Sequence, residues 1–146
     1  MADLNERLPF KNEQFDAVNA DQVLEHIGDL PGLVGEVHRV LRPGGFLVAH
    51  VPYFRSCWAH VDPTHVRSFT LRSMDYFVAG SDFYERYRFN DAGFSALDMY
   101  LDSHRDTSRL RRMCASLALD QRDRFENSFL SFVCPFELLT YILRKA

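Results

Sequence analysis

The pattern that most constrains the fold is a strand, a helix and a second strand in the first third of the chain. The short apolar run Phe15–Ala20 follows the turn-forming residues Lys11-Asn12-Glu13 and is typical of a strand. Asp29-Leu30-Pro31 then opens a predicted helix whose apolar residues share one face: Leu33, Val34, Val37, Val40 and Leu41. Pro43-Gly44-Gly45 ends that helix, because proline cannot continue it and glycine can take a positive φ. The nearly continuous apolar run Phe46–Val51 predicts a parallel strand covered on both faces.

The middle of the chain predicts a short helix and a hairpin. Thr70–Phe77 is predicted as a helix with Thr70 as its N-cap. Tyr84–Asn90 and Phe94–Asp102 are aromatic-rich segments, and the turn residues between them favour an antiparallel hairpin. This hairpin would form the antiparallel end of the sheet.

The end of the chain and its bulk properties limit the possible classes of protein. Two helices are predicted in His104–Arg124 and Phe125–Arg144, with a break near Pro135. A length of 146 residues, 47% of them hydrophobic, fits one domain with a core. The net charge of −3 and pI near 6.0 provide no basic field, so no nucleic-acid partner is expected. The longest apolar-rich stretch, Phe129–Leu143, is too short to span a membrane.

Cysteine usage bears on the compartment. Cys57, Cys114 and Cys134 are scattered, and none forms a CxxC pair. Such cysteines are typical of free thiols in a reducing compartment. We therefore expect a cytoplasmic protein.

Several local motifs occur in a fixed order around the strand–helix–strand pattern. Asp3 precedes Leu8-Pro9-Phe10, Phe15-Asp16 leads the first strand, and Val23-Leu24-Glu25-His26 follows it. The helix ends in an RVLRPGG run, Arg39–Gly45. Together these motifs resemble the second half of class I S-adenosylmethionine-dependent methyltransferases, of the methyltransferase type 11 kind.

The resemblance implies an α/β fold with a partial Rossmann-like methyltransferase sheet. Strands 4 and 5 of that sheet would be Phe15–Ala20 and Phe46–Val51, followed by the antiparallel end and flanked by helices. In the family a glycine-rich loop after strand 1 precedes these motifs, and the 146 residues contain no such loop. We therefore expect residues 1–146 to form a single methyltransferase-like domain that is N-terminally incomplete.

The resemblance also assigns cofactor-binding residues. Asp3 matches the acidic residue that binds adenine, and Leu4 would form part of the apolar wall around it. Asn19, Ala20 and Asp21 follow the first strand, where ligands bind in open α/β sheets. The implied cofactor is S-adenosylmethionine, with weak or absent binding by this chain alone, because the loop's N–H groups and helix dipole have no substitute. The structural alternatives are that Asp3 is only an acidic residue at a frayed terminus, and that Asn19, Ala20 and Asp21 are only a polar strand end.

The segment Tyr53–Thr70 has no regular period and is interpreted as a functional loop. Related methyltransferases carry a similar DPTHxRxF segment beside the acceptor pocket, here Asp62–Phe69. His60 and His65 are predicted catalytic residues, because a near-neutral imidazole can take a proton from an acceptor hydroxyl. The predicted substrate-binding residues are Tyr53, Arg55, Asp62 and Arg67. A purely structural loop and metal ligation by the H-x-D-x-x-H spacing are alternatives, and no metal site is predicted.

Two function hypotheses follow. The first is a methyltransferase in truncated form, acting on a small-molecule or saccharide-type acceptor. In that hypothesis His26 is a packing and hydrogen-bonding residue near the cofactor pocket. The second is a catalytically inactive fragment that acts as a binding or oligomerisation module. Because strand 4 would lack its usual neighbour, its exposed edge predicts a homodimer.

Overall fold

The computed structural model describes residues 4, 6–89, 91–102, 109–134 and 136–146. The strands are β1 Phe15–Asp21, β2 Leu41–Pro52, β3 Ala96–Asp102 and β4 Leu138–Arg144. The helices are α1 Leu30–Val40, α2 Trp58–Val61, α3 Asp82–Tyr87, α4 Arg109–Asp120, α5 Arg122–Glu126 and α6 Leu130–Val133. Short 3₁₀ turns span Leu24–His26 and Asp75–Phe77.

The strands form one mixed sheet in the order β1-β2-β4-β3. β1 pairs parallel with β2, whereas β4 pairs antiparallel with both β2 and β3. The chain is therefore an α/β protein with a partial Rossmann-like sheet and an antiparallel end, which confirms the predicted fold class. No helix in the described part of the chain is long and apolar enough to cross a membrane.

Helix α1 begins where the sequence predicts, but it ends at Val40 instead of at Pro43-Gly44-Gly45, and Leu41 already belongs to β2. The side chain of Asp29 accepts a hydrogen bond from the Gly32 amide at 3.0 Å and so caps the helix N-terminus. The apolar face, which includes Leu33, Val34 and Val37, is buried in the main core. This packing fixes α1 beside β1 and β2, where the candidate site lies.

The glycine pair after α1 forms an irregularity at the start of β2. The register shifts between the Phe15–Leu41 pair and the Ala17–Phe46 pair. Gly44 has φ +78°, a left-handed conformation that disfavours a side chain. A Cβ at Gly45 would lie 2.9 Å from the carbonyl oxygens of both Arg42 and Asp16. The predicted strand Phe46–Val51 is thus confirmed, and it extends back to Leu41.

The predicted hairpin is only half correct. Phe94–Asp102 contains β3, but the described part of Tyr84–Asn90 lies in helix α3 and its C-terminal flank. The Ser81 hydroxyl accepts from the Tyr84 amide at 3.1 Å and caps α3. The aromatic residues of this segment pack around Tyr76, whose ring stacks on Phe83 at 4.7 Å. Asn90 itself lies outside the described residues.

The prediction of a helix through Phe125–Arg144 is wrong at its C-terminal end. Residues 138–144 form β4, which lies between β2 and β3. Leu139, Tyr141 and Leu143 are fully buried and alternate with partly exposed residues, which is the period of a strand. The described part of His104–Arg124 is helical in α4 and α5, and Pro135 lies outside the described residues.

The predicted helix Thr70–Phe77 is instead a series of turns that ends in the 3₁₀ turn Asp75–Phe77. The Thr70 hydroxyl accepts from the Arg72 amide at 3.2 Å, and the Thr70 amide donates to the Ser73 hydroxyl at 2.9 Å. These local side-chain bonds compete with helical ones and explain the tighter turns.

Candidate active site

Two concavities meet at the carboxyl end of β1. One is an apolar groove of about 470 Å³ beside β1 and the inner face of α1. The other is a polar cleft of about 710 Å³, lined by residues that end β1 and β2 and by the start of β4: Asp21, Pro52 and Leu138. The carboxyl ends of parallel strands are where open α/β sheets bind ligands.

The predicted cofactor residues divide between the two concavities. Leu4, Asn19 and Ala20 line the apolar groove, and Asp21 lines the polar cleft. Asp3 lies outside the described residues. The groove thus offers apolar walls and one side-chain amide, which suit the flat adenine ring.

A clamp that the sequence analysis missed holds the loop at the mouth of the groove. The carboxylate of Glu36 accepts from the Leu8 amide at 2.9 Å, and Arg39 donates to the carbonyls of Leu8 and Phe10 at 3.1 and 2.9 Å. The Arg39 guanidinium also binds Glu36 at 2.7 Å and lowers the pKa of that carboxyl. Their i, i+3 spacing on α1 was the available signal.

The backbone at the cleft is strained next to Asp21. Gln22 has φ +52°, which non-glycine residues rarely adopt. Its amide donates to the His50 carbonyl at 2.9 Å, which holds the turn against β2. Such strain is characteristic of ligand sites.

A chain of three polar side chains crosses the cleft. Thr64 donates its hydroxyl proton to Asp62 at 2.6 Å, and its oxygen lies 2.9 Å from His26 Nδ1. Because that hydroxyl proton goes to the carboxylate, the Thr64 oxygen accepts from His26, so Nδ1 carries a proton and, in the neutral ring, Nε2 carries a lone pair. Hydrogen bonds from Thr64 lower the pKa of Asp62, and the nearby His65 and His26 add to the effect.

A buried carboxylate lies beside this chain. Glu25 is only 1% exposed, and neither of its carboxylate oxygens has a hydrogen-bond partner among the described residues. His65 Nε2 lies 4.0 Å from Glu25 Oε1, while its Nδ1 lies 3.2 Å from the Ala59 carbonyl. The rings of His65 and His26 meet edge to face at 4.7 Å. Glu25 was missed because the apolar Leu24 and Ile27 around it indicate only packing.

The other predicted site residues lie away from the cleft lining. His60 is exposed, with Nε2 at 3.0 Å from the Phe54 carbonyl. Arg67 donates to the carbonyls of Ile27 and Gly28 at 2.5 and 2.9 Å and so ties the loop to the turn after β1.

Tyr53 and Arg55 both lie against α5. Tyr53 is buried and donates to Glu126 Oε1 at 3.1 Å. Arg55 donates to the Glu126 carbonyl at 3.3 Å, and its guanidinium lies 3.8 Å from the centre of the Phe132 ring. The structure therefore brings Asp62 and His65 together with Asp21 and His26, and places His60, Tyr53 and Arg55 elsewhere.

The arrangement of the sheet is that of a known fold. Two parallel strands followed by an antiparallel end are similar to part of the class I S-adenosylmethionine-dependent methyltransferase fold. A family model described as a methyltransferase domain matches residues 1–49. This match and the structural neighbours below confirm the resemblance to class I methyltransferases.

The structural neighbours are similar in fold at low sequence identity. An S-adenosylmethionine-dependent methyltransferase from Archaeoglobus fulgidus has a TM-score of 0.58 and 15% identity, with 93% of this chain and 62% of that chain covered. Phospholethanolamine N-methyltransferase 2 from Haemonchus contortus, solved in a complex that contains S-adenosylhomocysteine, has a TM-score of 0.53 and 15% identity. The match covers 93% of this chain and 34% of that chain. The [4+2]-cyclase SpnF has a TM-score of 0.53 and 23% identity, and the match covers 99% of this chain and 54% of that chain.

The comparisons also show how far the likeness extends. This chain spans less than two thirds of the length of these structures: 62% of the Archaeoglobus fulgidus protein and 54% of SpnF. No curated protein sequence matches the chain. Because one neighbour is a cyclase, the fold alone does not establish the reaction.

Proposed function

We propose that this chain provides the adenine side and the acceptor side of an S-adenosylmethionine-dependent methyltransferase for a small-molecule acceptor. The observation that carries the proposal is the polar cleft at the carboxyl ends of β1 and β2, directly beside the apolar groove. The groove would hold adenine against Leu4 and Ala20, with the Asn19 amide available for a hydrogen bond. Bound S-adenosylmethionine supplies an electrophilic methyl group.

The cleft would hold the acceptor. Asp21 and Asp62 line it with carboxylates that can accept from the hydroxyl groups of a saccharide-type ligand, and Trp58 lines it with an aromatic face. Holding a nucleophile at a fixed orientation is itself a large part of the rate gain in such transfers. The two carboxylates favour a neutral or cationic acceptor over an anionic one.

Two imidazoles would move a proton from the acceptor. His26 offers Nε2 to the cleft, because its Nδ1 proton is bound by Thr64, which Asp62 orients. His65 lines the same cleft and lies 4.0 Å from Glu25. In the metal-free chain, either Nε2 lone pair would take a hydroxyl proton as methyl transfer proceeds. His60 stays a predicted catalytic residue, to be tested beside them.

The alternative function is a binding or oligomerisation module without catalysis. The absence of a glycine-rich cofactor loop from the 146 residues favours this hypothesis, because that loop's N–H groups have no substitute here. The proposal otherwise includes a cytoplasmic location, in keeping with free thiols at all the cysteines, Cys57, Cys114 and Cys134.

Transfer of a radiolabelled methyl group into a panel of small hydroxyl, amine and saccharide acceptors tests the proposal. We expect the purified chain to be inactive at micromolar cofactor, because its cofactor binding is weak, and to show slow transfer only at millimolar cofactor. His65→Ala and His26→Ala should lower turnover while leaving cofactor affinity nearly unchanged, because they lie on the acceptor side. His60→Ala tests the prediction for that residue in the same assay. No transfer with any acceptor would favour the binding module instead.

A further inference from the structure

The buried carboxylate of Glu25 has no explanation within the hydrogen bonding of the described residues. It is 1% exposed, and neither of its oxygens has a hydrogen-bond partner in the part of the chain that the structure describes. A buried charge without a partner is strongly destabilising, so proteins neutralise such groups or pair them with a cation. The carboxylate therefore requires a proton or a positive group on its open side, which faces the polar cleft.

The nearby side chain of His65, in its neutral form, offers a lone pair to this carboxylate. Its Nδ1 lies 3.2 Å from the Ala59 carbonyl, which only accepts, so Nδ1 carries a proton. Nε2 of the neutral ring then points a lone pair at Glu25 Oε1, 4.0 Å away. Two acceptors that face each other repel unless a cation lies between them.

His26 completes the same arrangement from the other side. Its Nδ1 proton is bound by the Thr64 oxygen at 2.9 Å, and Thr64 is oriented by Asp62. Metal-binding histidines commonly donate the distal N–H to a carbonyl or to a carboxylate-linked group, which aims the other nitrogen at the ion. Both histidines of the cleft have such a partner.

We propose that Glu25, His26 and His65 bind one divalent transition-metal ion, with Zn²⁺ as the preferred ion. One ligand atom from each residue lies within 4.8 Å of the other two. Two imidazoles and one carboxylate form the ligand set of a catalytic zinc site, in which a fourth position stays open. The open position faces the polar cleft, where a water or an acceptor hydroxyl can bind the ion and lose its proton more readily.

The ligand chemistry selects the ion. Imidazole nitrogens favour zinc and similar transition metals, whereas magnesium and calcium favour oxygen ligands. Zinc bonds of about 2.0 Å require the three ligand atoms to move closer together than 4.8 Å. The exposed His26 ring can rotate to do so, while the more buried His65 and Glu25 form the fixed side.

The competing explanation is a buried ion pair without a metal. If Nε2 of His65 were also protonated, the imidazolium would neutralise Glu25 and no ion would be needed. The two arrangements differ in the protonation of His65 and in metal uptake, so they can be separated by direct measurement. Neither measurement depends on whether the chain transfers methyl groups.

Metal-free protein, prepared with a chelator, should be titrated with Zn²⁺ and in parallel with Mg²⁺ by calorimetry, and metal content measured after dialysis. We expect one Zn²⁺ per chain and no binding of Mg²⁺. His26→Ala and Glu25→Gln should each weaken Zn²⁺ binding by about a hundredfold or more. Thr64→Val, which removes only the group that orients His26, should weaken it by about 10 to 100-fold.

His60→Ala is the matched control, because His60 lies in the same loop and bonds the Phe54 carbonyl instead of the cluster. It should bind Zn²⁺ as the unaltered chain does. Circular dichroism confirms that each variant is folded, and His26→Ala removes an exposed side chain that the core does not need. Absence of stoichiometric Zn²⁺, or equal loss of binding in His60→Ala, would overturn the proposal. A doubly protonated His65 ring in the nitrogen spectrum at neutral pH, with no zinc uptake, would establish the ion pair.

Discussion

Tyr53 donates its hydroxyl to Glu126 at 3.1 Å, across 73 positions of the chain. The same carboxylate oxygen accepts from the Leu71 amide at 2.7 Å. Glu126 therefore joins the loop after β2 to α5 and to the turns that follow the loop. Burial raises the pKa of Glu126, and burial beside this carboxylate raises the pKa of Tyr53 well above its usual range.

Replacing Glu126 tests this junction. Glu126→Ala should destabilise the protein by about 1–3 kcal/mol, because it leaves the Tyr53 hydroxyl and the Leu71 amide without an acceptor. Glu126→Gln keeps an acceptor oxygen and should cost less than half as much. Because the pKa of Glu126 is raised on folding, the folded protein binds this carboxyl proton more tightly than the unfolded chain does. The free energy of unfolding should therefore fall as the pH rises from the ordinary carboxyl pKa of the unfolded chain through the raised pKa of the folded protein. Urea denaturation should show that fall for the unaltered chain and a flatter profile for Glu126→Gln; equal losses in both variants would exclude the junction.

The two glycines after α1 should respond differently to alanine. Gly44→Ala should cost about 1 kcal/mol, because its φ of +78° strains a residue with a side chain while the surrounding space is open. Gly45→Ala should cost about 3 kcal/mol, because its Cβ would meet two backbone carbonyls that cannot rotate away. Hydrogen exchange should quicken in β1 only for Gly45→Ala, since Asp16 supplies one of those carbonyls. The reverse order of the two effects would contradict this description of the bulge.

The contrast between β1–α1–β2 and the later sheet shows what local patterns can predict. Apolar spacing and the helix start at Asp29 were enough to predict β1, α1 and β2, because each signal acts within a few residues. The end of α1 was placed too late, because Pro43-Gly44-Gly45 lies inside β2. Strand β4 was predicted as helix, because its neighbours β2 and β3 are distant in sequence and its apolar residues fit either period. The Glu25–His65 pair was missed for the same reason, since a cluster formed across a loop leaves no local spacing to detect.

The thiols should react in a defined order. Cys57 is exposed, whereas Cys114 and Cys134 are buried with their sulfurs 2.7 Å apart. Burial and the neighbouring thiol raise the pKa of Cys114 to about 11, so little reactive thiolate forms there near neutral pH. A limiting maleimide reagent followed by peptide mass spectrometry should label Cys57 first. Comparable early labelling of Cys114 would mean that its side chain is not buried as described.

The edge of β1 should mediate self-association. β1 ends the sheet, and no other described strand pairs with its outer side; the apolar groove lies next to it. We expect a dimer in light scattering coupled to size exclusion, and Ala17→Lys should shift it toward monomer by placing a charge on that edge. Asp98→Lys, on the opposite edge strand β3, is the matched control and should leave the dimer intact. A monomer for the unaltered chain at high micromolar concentration would refute this prediction.

The position of the cofactor is the central claim, and a nitrogen-15 spectrum titrated with S-adenosylhomocysteine tests it most directly. The account predicts weak binding in fast exchange, with a Kd above about 1 μM, equivalent to less than about 8 kcal/mol. The shifted amides should be those at the carboxyl end of β1, Asn19, Ala20 and Asp21, and adenosine alone should shift the same set. Shifts confined to the β3–β4 end, no shifts at millimolar ligand, or a one-to-one complex of micromolar or tighter affinity would contradict it.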